Sequence, residues 1–450
     1  MKKIQQIQFS NKPEYIKLDQ SIDFYELFQK IEREFETCFL FESLGRYSDV
    51  SRYSVIGFGP ECIVRGKVNK LIVDNVSFPC DNPYFALRNL IPQDYSSNEY
   101  EGGLVGYLGY DAANYFEPGV INVKTHEMFD PLMFGAYTDG LILDKRTNEV
   151  FYFTHGKNRS DFIKKLLSKK SRPHSVQVKF TGYTSTRDEH TQAVLYVKDQ
   201  IKKGNTFQCQ VGLKSEFQIK GDTIVLYGRL RKVNPSPFMF YLKFGNKKII
   251  GASPELLFRV KKRYMETFPL AGTIRRGKNA GEDYLLSGDL LADKKEQAEH
   301  NMLVDLHRND IGRVAELGTV VVRSLMDIKK FSHVQHISSE IVGLLKNGED
   351  MFSGLASNFP AGTLTGAPKI ETMKIIDQIE STARGPYGGG VGNFGFNGDC
   401  TFAITIRSLF ISDDYAYTQS SGGIVYDSQP EKEYEELMRK SAAMKEVLGI

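Results

Sequence analysis

The chain has 450 residues, of which 41% are hydrophobic and 25% charged, as is usual for a globular protein. The formal net charge of +3 is small for this length and gives no support for binding to nucleic acid or to an anionic membrane. A chain this long exceeds one ordinary core, so we expect two domains or one large composite domain.

The cysteines and the N-terminus both predict a cytoplasmic protein. Cys38, Cys62, Cys80, Cys209 and Cys400 are scattered and form no C-x-x-C pair, which favours reduced thiols over a disulfide framework or a zinc site. The opening residues, MKKIQQIQFSNKPEY, lack the apolar segment of a signal peptide. No later apolar run is long enough to span a bilayer.

The first part of the chain reads as a β-rich unit. Short apolar or alternating runs, such as GGLVGYLGY and DGLILDKRTNEVFYF, are separated by Gly, Pro and Asn, and we assign residues 1–155 to this unit. A linker at 156–184 carries KNRSDFIKKLLSKKSRP, a basic amphipathic helix pattern. Such a helix can touch nucleic acid, but a solvated helix at a domain boundary is favoured here.

The second unit, residues 185–450, begins at a helix. Thr186 and Glu189 form a capping box ahead of it. Strand patterns then recur, with helical patterns around 282–315, 336–357, 367–380 and 430–448. Because strands outnumber helices and often follow each other directly, an α+β fold with mainly antiparallel sheets is predicted.

A glycine-rich loop, PAGTLTGAPK at 360–369, precedes the helical pattern at 367–380. Gly362 and Gly366 permit close approach of the backbone to a ligand, and Pro368 suits the start of a helix. A Walker phosphate loop needs four residues between its glycine and its Gly-Lys pair, and here only three intervene. The loop is therefore not an ATP site, and both an anion site and a plain turn stay open.

Two pairs of glutamates stand three residues apart on predicted helices. Glu296 and Glu299 share one helix face, and Glu433 and Glu436 share another. Four carboxylates with no nitrogen or sulfur ligand suit Mg²⁺. Such pairs are also common on exposed helices, so a solvated role stays open.

An ordered set of motifs carries more information than any one of them. They are NPSPFMFYL (234–242), GASPELLFR (251–259), FPLAGTIRRG (268–277), EQAEHNMLVDLHRNDIGRV (296–314), FSHVQHISSEIVG (331–343), PAGTLTGAPK (360–369), YGGGVGNFGFNGD (387–399), FAITIRS (402–408) and GGIVYDSQPEKEYEE (422–436). Together they resemble the chorismate-utilising enzymes, and within these the large subunits of anthranilate synthases. The likeness covers 185–448 and continues more weakly through 41–57.

The resemblance implies a fold of two large antiparallel sheets packed as a sandwich and flanked by helices. It also implies that the four glutamates form a Mg²⁺ platform meeting the ring carboxylate of chorismate. An arginine fork suits a carboxylate better than a lysine does. The residues implied to border or bind the substrate are Gly272, Thr273, Tyr387, Arg407, Gly422, Gly423 and Lys440.

Three residues are implied to act in the chemistry. Glu255 matches the acid that protonates the departing ring hydroxyl, and His336 matches the residue tied to loss of pyruvate. Thr363 lies in the loop expected to form the wall of the site. His333 is expected to be structural, and without the resemblance Tyr387 and Arg407 would be read as a core aromatic and an ion-pair member.

The sequence departs from the family pattern at Ser420 and Ser421, where relatives commonly carry glycine before the GGIV turn. A Cβ there is expected to narrow the pocket.

The residues that differ between family members select the nucleophile. Members that activate water carry a lysine where this chain has Gln208, and many aminodeoxychorismate synthases carry a nucleophilic lysine where it has Ala271. The remaining nucleophile is ammonia at C2, followed by pyruvate elimination to anthranilate. An aminodeoxychorismate synthase lacking its usual lysine, and a binding or regulatory paralogue, are the alternatives.

The resemblance also implies a regulatory site at which bound tryptophan inhibits the enzyme. The alternative is that the residues of this site only pack strands together and bind no ligand. The chain contains no tryptophan, which fits an enzyme made when tryptophan is scarce. The residues implied are Glu42, Ser43, Asn234, Pro235, Ser236, Pro237, Phe238 and Met239.

Glutamine hydrolysis is not expected of this chain. It needs a cysteine on a Gly-x-Cys-x-Gly turn, and the nearest match, GDCTF around Cys400, has Phe402 in place of the second glycine. We therefore expect ammonia to come from a separate glutamine amidotransferase subunit, component II of an anthranilate synthase.

Overall fold

The structure is a computed structural model that describes residues 4–8, 12–18, 22–44, 52–92, 100–123, 126–170, 174–331 and 334–450. Its first 155 residues contribute these strands: β1 (Glu14–Leu18), β2 (Thr37–Glu42), β3 (Tyr53–Phe58), β4 (Cys62–Lys67), β5 (Lys70–Val73), β6 (Val76–Pro79), β7 (Gly103–Leu108), β8 (Leu132–Tyr137), β9 (Asp139–Asp144) and β10 (Glu149–Thr154).

The remaining strands are β11 (Val176–Tyr183), β12 (Gln208–Gly221), β13 (Phe238–Phe244), β14 (Lys247–Ser253), β15 (Leu256–Lys261), β16 (Tyr264–Thr267), β17 (Leu270–Arg275), β18 (Val321–Lys330), β19 (Val334–Leu344), β20 (Gly366–Ala367), β21 (Gly390–Gly395), β22 (Cys400–Ile404), β23 (Ser408–Ser412) and β24 (Tyr415–Ile424). The helices are α1 (Phe24–Glu34), α2 (Pro83–Ala86), α3 (Ser160–Ser168), α4 (Arg187–Lys202), α5 (Ile224–Val233), α6 (Ala280–Ala292), α7 (Lys294–Gly312), α8 (Met351–Asn358), α9 (Lys369–Ile379) and α10 (Pro430–Leu448).

The strands form two large sheets. The first has the order β1-β10-β9-β3-β2-β13-β14-β23-β24-β12-β11, with β20 also pairing with β12. The second has the order β17-β19-β16-β15-β22-β21-β7-β8-β4-β5-β6, with β18 pairing with β19. Neighbouring strands run antiparallel, for example β12 against β24 and β15 against β22. The predicted α+β class with antiparallel sheets is confirmed.

Each sheet combines strands from both parts of the chain. In the first sheet β2 pairs with β13, which sets Glu42 opposite Met239. In the second, β7 pairs with β21, which sets Gly103 opposite Gly395. Residues before 155 and after 185 are thus joined by backbone hydrogen bonds in a composite core.

The two sheets face each other, and helices cover the outer side of the first. Phe39 on β2 meets Tyr137 on β8 with ring centroids 4.8 Å apart, so the sheets pack directly. On the other side of the first sheet, Phe28 of α1 packs edge-on against Tyr241 of β13 at 5.3 Å. Burial of such aromatic rings contributes strongly to the core of both layers.

Helix starts follow the capping signals in the sequence. Thr186 and Glu189 form the predicted capping box of α4. The pattern at 282–315 is two helices, because the backbone of Asp293 turns to an extended conformation after α6. The side chain of Asp293 then accepts hydrogen bonds from the first turn of α7, and this fixes the helix that carries Glu296 and Glu299.

One predicted helix is wrong. Residues 336–357 contain the end of strand β19 and helix α8, which begins only at Met351. The segment VQHISSEIVGL places β-branched residues on a central strand that pairs with β16, β17 and β18. His336 therefore projects from a sheet and not from a helix.

Three further predicted helices are confirmed. Helix α9 begins at Lys369, directly after Pro368, and α10 spans Pro430–Leu448, close to the predicted limits. The basic helix of the linker is α3, although Pro173 lies outside the described residues. The five cysteines are free thiols. Within the described ranges, no helix is both long and apolar enough to cross a membrane.

Candidate active site

Glu255 is a buried carboxyl group between β14 and β15. Only 4% of the residue is exposed. Its Oε1 accepts a hydrogen bond from the Thr363 hydroxyl at 3.0 Å and a longer one from the backbone N–H of Leu270 at 3.4 Å. Neither partner is charged, and among the described residues the carboxyl group has no direct ion pair.

The setting keeps Glu255 protonated at neutral pH. Burial raises its pKa to about 8, although the hydrogen bonds from Thr363 and Leu270 and the charge of Arg407 favour the ionised form. A carboxyl group of this pKa can donate a proton to a leaving group near pH 7. This is the property expected of the predicted acid.

Arg407 lies near Glu255 in an unusual backbone conformation. It connects β22 to β23 with φ of 49°, a left-handed value that is uncommon for a large side chain. Its guanidinium forms no hydrogen bond or ion pair with the described residues. Burial lowers the pKa of Arg407, and the charge of Glu255 opposes that effect. An unpaired arginine fork in this position suits a carboxylate ligand.

His336 on β19 is held beside the bulge of strand β17 at Gly272 and Thr273. Its Nδ1 lies 2.9 Å from the Gly272 carbonyl oxygen and 3.0 Å from the Thr273 hydroxyl. A ring nitrogen next to a carbonyl oxygen carries the proton, so Nε2 has the free lone pair. Nε2 is buried without a hydrogen-bond partner. Burial, aided by the charges of Arg407 and Lys440, lowers the pKa of His336 to about 4, so the ring is neutral and able to accept a proton.

Glu296 and Glu299 lie on α7, and the carboxylate of Glu296 approaches Gly272 of β17. A Cβ placed on Gly272 would lie 2.9 Å from Oε2 of Glu296, and the φ of 64° at this residue independently favours glycine. Burial raises the pKa of Glu296, and the charges of Glu299 and Glu436 raise it further. Burial also raises the pKa of Glu299. Negatively charged side chains of α7 and α10 therefore lie close to one another here.

The α10 carboxylates reach the same place beside the end of β24. A Cβ on Gly422 would lie 3.6 Å from Oε2 of Glu433. Lys440 pairs with Glu436 at 2.9 Å and donates to the Ser421 carbonyl oxygen at 3.0 Å. Burial opposes ionisation of Glu436, but Lys440 outweighs it and lowers the pKa. In the described part of the chain, no three His, Cys, Asp or Glu side chains form a cluster ready to hold a metal ion.

Two glutamines line the notch left by Gly423. A Cβ on Gly423 would lie 2.3 Å from Nε2 of Gln208 and 3.2 Å from Nε2 of Gln210. Gln208 donates to Oε1 of Glu299 at 2.6 Å, and its own Oε1 is buried without a partner. The side chain that stands where other family members carry a lysine is thus tied to a predicted metal ligand.

Tyr387 is linked to the same notch through Ser421. The phenol lies 2.8 Å from the Ser421 hydroxyl, which donates to Oε1 of Gln210 at 2.9 Å. Burial raises the pKa of Tyr387 to about 12, so the phenol keeps its proton. The serine that departs from the family pattern therefore belongs to a hydrogen-bond chain and does not merely narrow the pocket.

The loop at 360–369 makes two side-chain contacts that bear on the site. Thr363 contacts Glu255, whereas Lys369 donates to Asp310 at 2.7 Å. Both members of that ion pair are almost fully buried. The lysine is committed to Asp310 and is not free to bind a phosphate, in agreement with the sequence argument against an ATP site.

The residues predicted to bind tryptophan lie at the end of β2, in the segment before β13 and at the start of β13. Glu42 is buried and accepts hydrogen bonds from Arg231 at 2.7 and 3.1 Å and from Tyr227 at 2.7 Å. Met239 lies opposite Glu42 and is 1% exposed. Phe238 begins β13, and the turn before it is Asn234, Pro235, Ser236 and Pro237.

The two serines of this set hold neighbouring backbone in place. Ser236 donates to the Asn234 carbonyl oxygen at 3.2 Å, and its own carbonyl oxygen accepts from Leu44 at 3.0 Å. Ser43 accepts from Lys145 through its carbonyl oxygen, while its hydroxyl is buried with no partner. Among the described residues, that hydroxyl is the one fully buried side-chain polar atom of the predicted set without a hydrogen-bond partner.

The structure brings the predicted catalytic, substrate and metal residues into one region. Tyr387 joins this region indirectly, through Ser421, whose carbonyl oxygen accepts from Lys440. Gln210 was missed by the sequence argument, although the alternation in QCQ around Cys209 places it on the same strand face as Gln208. His333 lies outside the described residues.

These features define a chorismate-binding enzyme. The model of the chorismate binding enzyme family matches residues 38–446, and the chain belongs to that family. It is 49% identical over 99% of its length to anthranilate synthase component 1 of Leptospira biflexa, and covers 98% of that protein. It is 35% identical to aminodeoxychorismate synthase component 1 of Bacillus subtilis, with 96% of each chain covered.

A solved structure agrees with these relatives. Anthranilate synthase component I from Streptococcus pneumoniae superimposes with a TM-score of 0.78 at 30% identity, covering 88% of this chain and 93% of that one. The predicted sandwich of two antiparallel sheets with flanking helices is thus confirmed.

Proposed function

We propose that this chain is the chorismate-aminating subunit of an anthranilate synthase. Ammonia adds at C2 of chorismate as the ring hydroxyl departs, and pyruvate is then eliminated to leave anthranilate. The observation that carries the proposal is the protonated Glu255, with its pKa of about 8, placed near an unpaired Arg407. The first step needs a proton donor for the departing hydroxyl and, close to it, a cation that binds a carboxylate of the substrate.

The second step needs a proton acceptor. Nε2 of His336 is neutral, buried and unpaired, and Thr273 and the Gly272 carbonyl oxygen fix the opposite side of the ring. This nitrogen removes the C2 proton while the bond between the ring carbon and the enolpyruvyl oxygen breaks, which leaves an aromatic ring and the enolate of pyruvate. The enolate then takes up a proton at its methylene carbon to become pyruvate. With Glu255 as the proton donor, Arg407 as the carboxylate-binding group and His336 as the base, the reaction needs no nucleophilic side chain.

The choice of ammonia follows from what the site lacks. Gln208 cannot act as a base toward water, because an amide has no proton-accepting nitrogen at neutral pH. Ala271 cannot form a covalent adduct with the ring. Many aminodeoxychorismate synthases carry a nucleophilic lysine at the position of Ala271, so the alanine also counts against that alternative.

Magnesium is the cofactor we propose. Glu296, Glu299, Glu433 and Glu436 offer only oxygen ligands, and burial together with the charges of Glu299 and Glu436 raises the pKa of Glu296, a strain that a bound cation would relieve. When bound, Mg²⁺ would neutralise the ring carboxylate and draw electrons from the ring. Gln208 would then hold Glu299 in position as a partner of a metal ligand.

Tryptophan is the inhibitor we propose for the predicted regulatory set. Supporting this, the unsatisfied hydroxyl of Ser43 lies beside β13, which reaches by way of β14 to Ser253 and hence to Glu255. A ligand that binds one arrangement of these strands more tightly shifts the population of the active arrangement.

We also propose that the enzyme works in the cytoplasm.

A separate glutamine amidotransferase subunit is the proposed source of ammonia. Cys400, the nearest match to a glutaminase nucleophile, is 1% exposed on β22, and burial raises its pKa well above that of a free thiol. The purified chain should use ammonium but not glutamine, and the partner should restore glutamine use. Glutamine-dependent activity of the chain alone, surviving removal of contaminating glutaminase, would contradict the proposal.

A further inference from the structure

Arg384 is a buried arginine outside the predicted set of site residues. Its side chain is 1% exposed. Nε and Nη2 donate to the carboxylate of Glu380 at 2.7 to 3.0 Å, and this pairing compensates the charge of a guanidinium held away from water. The third nitrogen, Nη1, donates to the backbone carbonyl oxygen of Leu364 at 2.7 Å. All three nitrogens of the guanidinium thus have protein partners.

The bond to Leu364 holds the short 3₁₀ turn that carries Thr363. Carbonyl oxygens at the end of a helical turn have no partner inside it, and Arg384 supplies one from outside. The first residue of the turn, Gly362, abuts α7, because a Cβ there would lie 2.2 Å from Cδ2 of Leu306. The turn is therefore fixed between α7 and Arg384, in the position from which its threonine hydroxyl donates to the buried acid.

The same guanidinium lies beside two tyrosine rings. Its Cζ is 4.4 Å from the ring centroid of Tyr110 and 5.8 Å from that of Tyr387, distances at which a cation is attracted to an aromatic face. Tyr110 comes from the first part of the chain, and Tyr387 is one of the predicted substrate residues. Both tyrosines are buried. Arg384 therefore links these two rings to the turn of Thr363.

We infer that Arg384 is a positioning residue of this active site, which holds Thr363 against Glu255 and supports the ring of Tyr387. It acts through these neighbours and not on a ligand, because its nitrogens have protein partners and its side chain is buried. A lysine has one nitrogen in place of three, so it can keep the ion pair with Glu380 but loses the bond to the turn. The inference rests on the proposed function only for the role of Glu255 as an acid.

The test measures the pKa of Glu255 in the full chain without substrate, by infrared titration of its carboxyl band against Glu255→Gln. The hydrogen bonds from Thr363 and Leu270 and the charge of Arg407 favour the ionised form. Thr363→Val should therefore raise the pKa by about 1, the scale of one hydrogen bond to a charged group. Arg384→Lys frees the turn and should raise it by at least about half as much.

The double variant Arg384→Lys with Thr363→Val separates a positioning role from a direct electrostatic one. If Arg384 acts through Thr363, the double variant should have the same Glu255 pKa as Thr363→Val alone, because the bond is already absent. Shifts that add in the double variant would overturn the inference. An unchanged Glu255 pKa in folded Arg384→Lys would also overturn it.

Arg159→Lys is the matched control. Arg159 pairs with the buried carboxylate of Asp139, donates to the Gly59 carbonyl oxygen at 3.2 Å and lies over the ring of Phe58 at 4.7 Å, and none of these partners is a predicted site residue. Its substitution should lower the melting temperature and leave the Glu255 pKa unchanged. A Glu255 pKa that shifts equally in both lysine variants would show a general effect of lost stability and overturn the inference.

A second variant covers the case in which Arg384→Lys does not fold. Arg384→Met combined with Glu380→Gln removes both charges, so no unpaired ion is left buried, and the Glu255 pKa should rise as with lysine. Thermal unfolding shows which variants are folded. If the wild type makes no anthranilate, the proposed function fails, while the titration, which needs no turnover, still decides the role of Arg384.

Discussion

The hydroxyl of Thr363 donates to the carboxyl group of Glu255 across 3.0 Å, and it joins the glycine-rich loop to the buried acid. Thr363 sits in a short 3₁₀ turn, Gly362–Leu364, whose backbone packs against α7. The glycine-rich loop, which the sequence left open as an anion site, instead affects the pKa of the proton donor Glu255. It stabilises the ionised form of Glu255 only partly, and burial still prevails.

This relationship predicts how activity depends on pH. With free NH₃ held constant, the rate should fall as pH rises through about 8, because Glu255 then loses its proton. Thr363→Val removes a hydrogen bond that favours the carboxylate, so the pKa should rise and the falling limb should move to higher pH. Steady-state rates from pH 6.5 to 9.5 measure this. A limb that stays in place in Thr363→Val, or that persists in Glu255→Gln, contradicts the assignment.

The buried pair of Lys369 and Asp310 should matter for stability. Lys369→Met leaves Asp310 as an uncompensated buried charge, and such losses cost about 3–5 kcal/mol. Urea unfolding measures the change. Lys374→Met is the matched control, because Lys374 pairs with Glu371 on the exposed side of α9, where a pair contributes about 0–1 kcal/mol. Equal effects of the two substitutions would show that burial of the first pair is unimportant.

The carboxylate set should govern magnesium dependence. Glu299→Gln or Glu436→Gln removes one charge from the proposed ligands, so turnover at limiting Mg²⁺ should fall at least tenfold. Glu435→Gln, on the exposed side of α10, is the control and should leave the Mg²⁺ titration unchanged. The titration is followed by product fluorescence. If the ligand variants titrate like the wild type, the four glutamates are not the metal site.

The proposed tryptophan site is best tested at Ser43. Ser43→Ala removes a buried hydroxyl with no protein partner, so it should relax inhibition by tryptophan severalfold and leave the uninhibited rate close to wild type. Met239→Ala is less clean, because Met239 is 1% exposed and a large-to-small core change costs about 2–5 kcal/mol. Ser54→Ala, another buried serine, serves as the control. Wild-type activity that does not respond to tryptophan makes the set purely structural.

Local signals in the sequence predicted much of the fold. The capping box at Thr186, the strand alternation of β12 and the helical pattern of α10 all depend on neighbouring residues, so they can be read from the chain. The segment at 336–350 was misread because its apolar residues suit helix and strand alike. Only pairing with three distant strands makes it β19.

The candidate site, too, could be predicted only in part from the sequence. Motifs indicated its residues, but contacts between distant segments assign their partners. The bond from Ser421 to Gln210 joins residues 211 positions apart. The burial that raises the pKa of Glu255 likewise comes from the packed fold, and no local pattern contains it. The tie between Gln208 and Glu299 is of the same kind.

Product identification tests the central claim most directly. The purified chain, given chorismate, Mg²⁺ and a high concentration of ammonium at alkaline pH, should form anthranilate and pyruvate in equal amounts, detected by fluorescence and by an enzymatic pyruvate assay. Chromatography identifies any other amine. Accumulation of an aminodeoxychorismate that keeps its enolpyruvyl group, with no fluorescence and no pyruvate, would contradict the account.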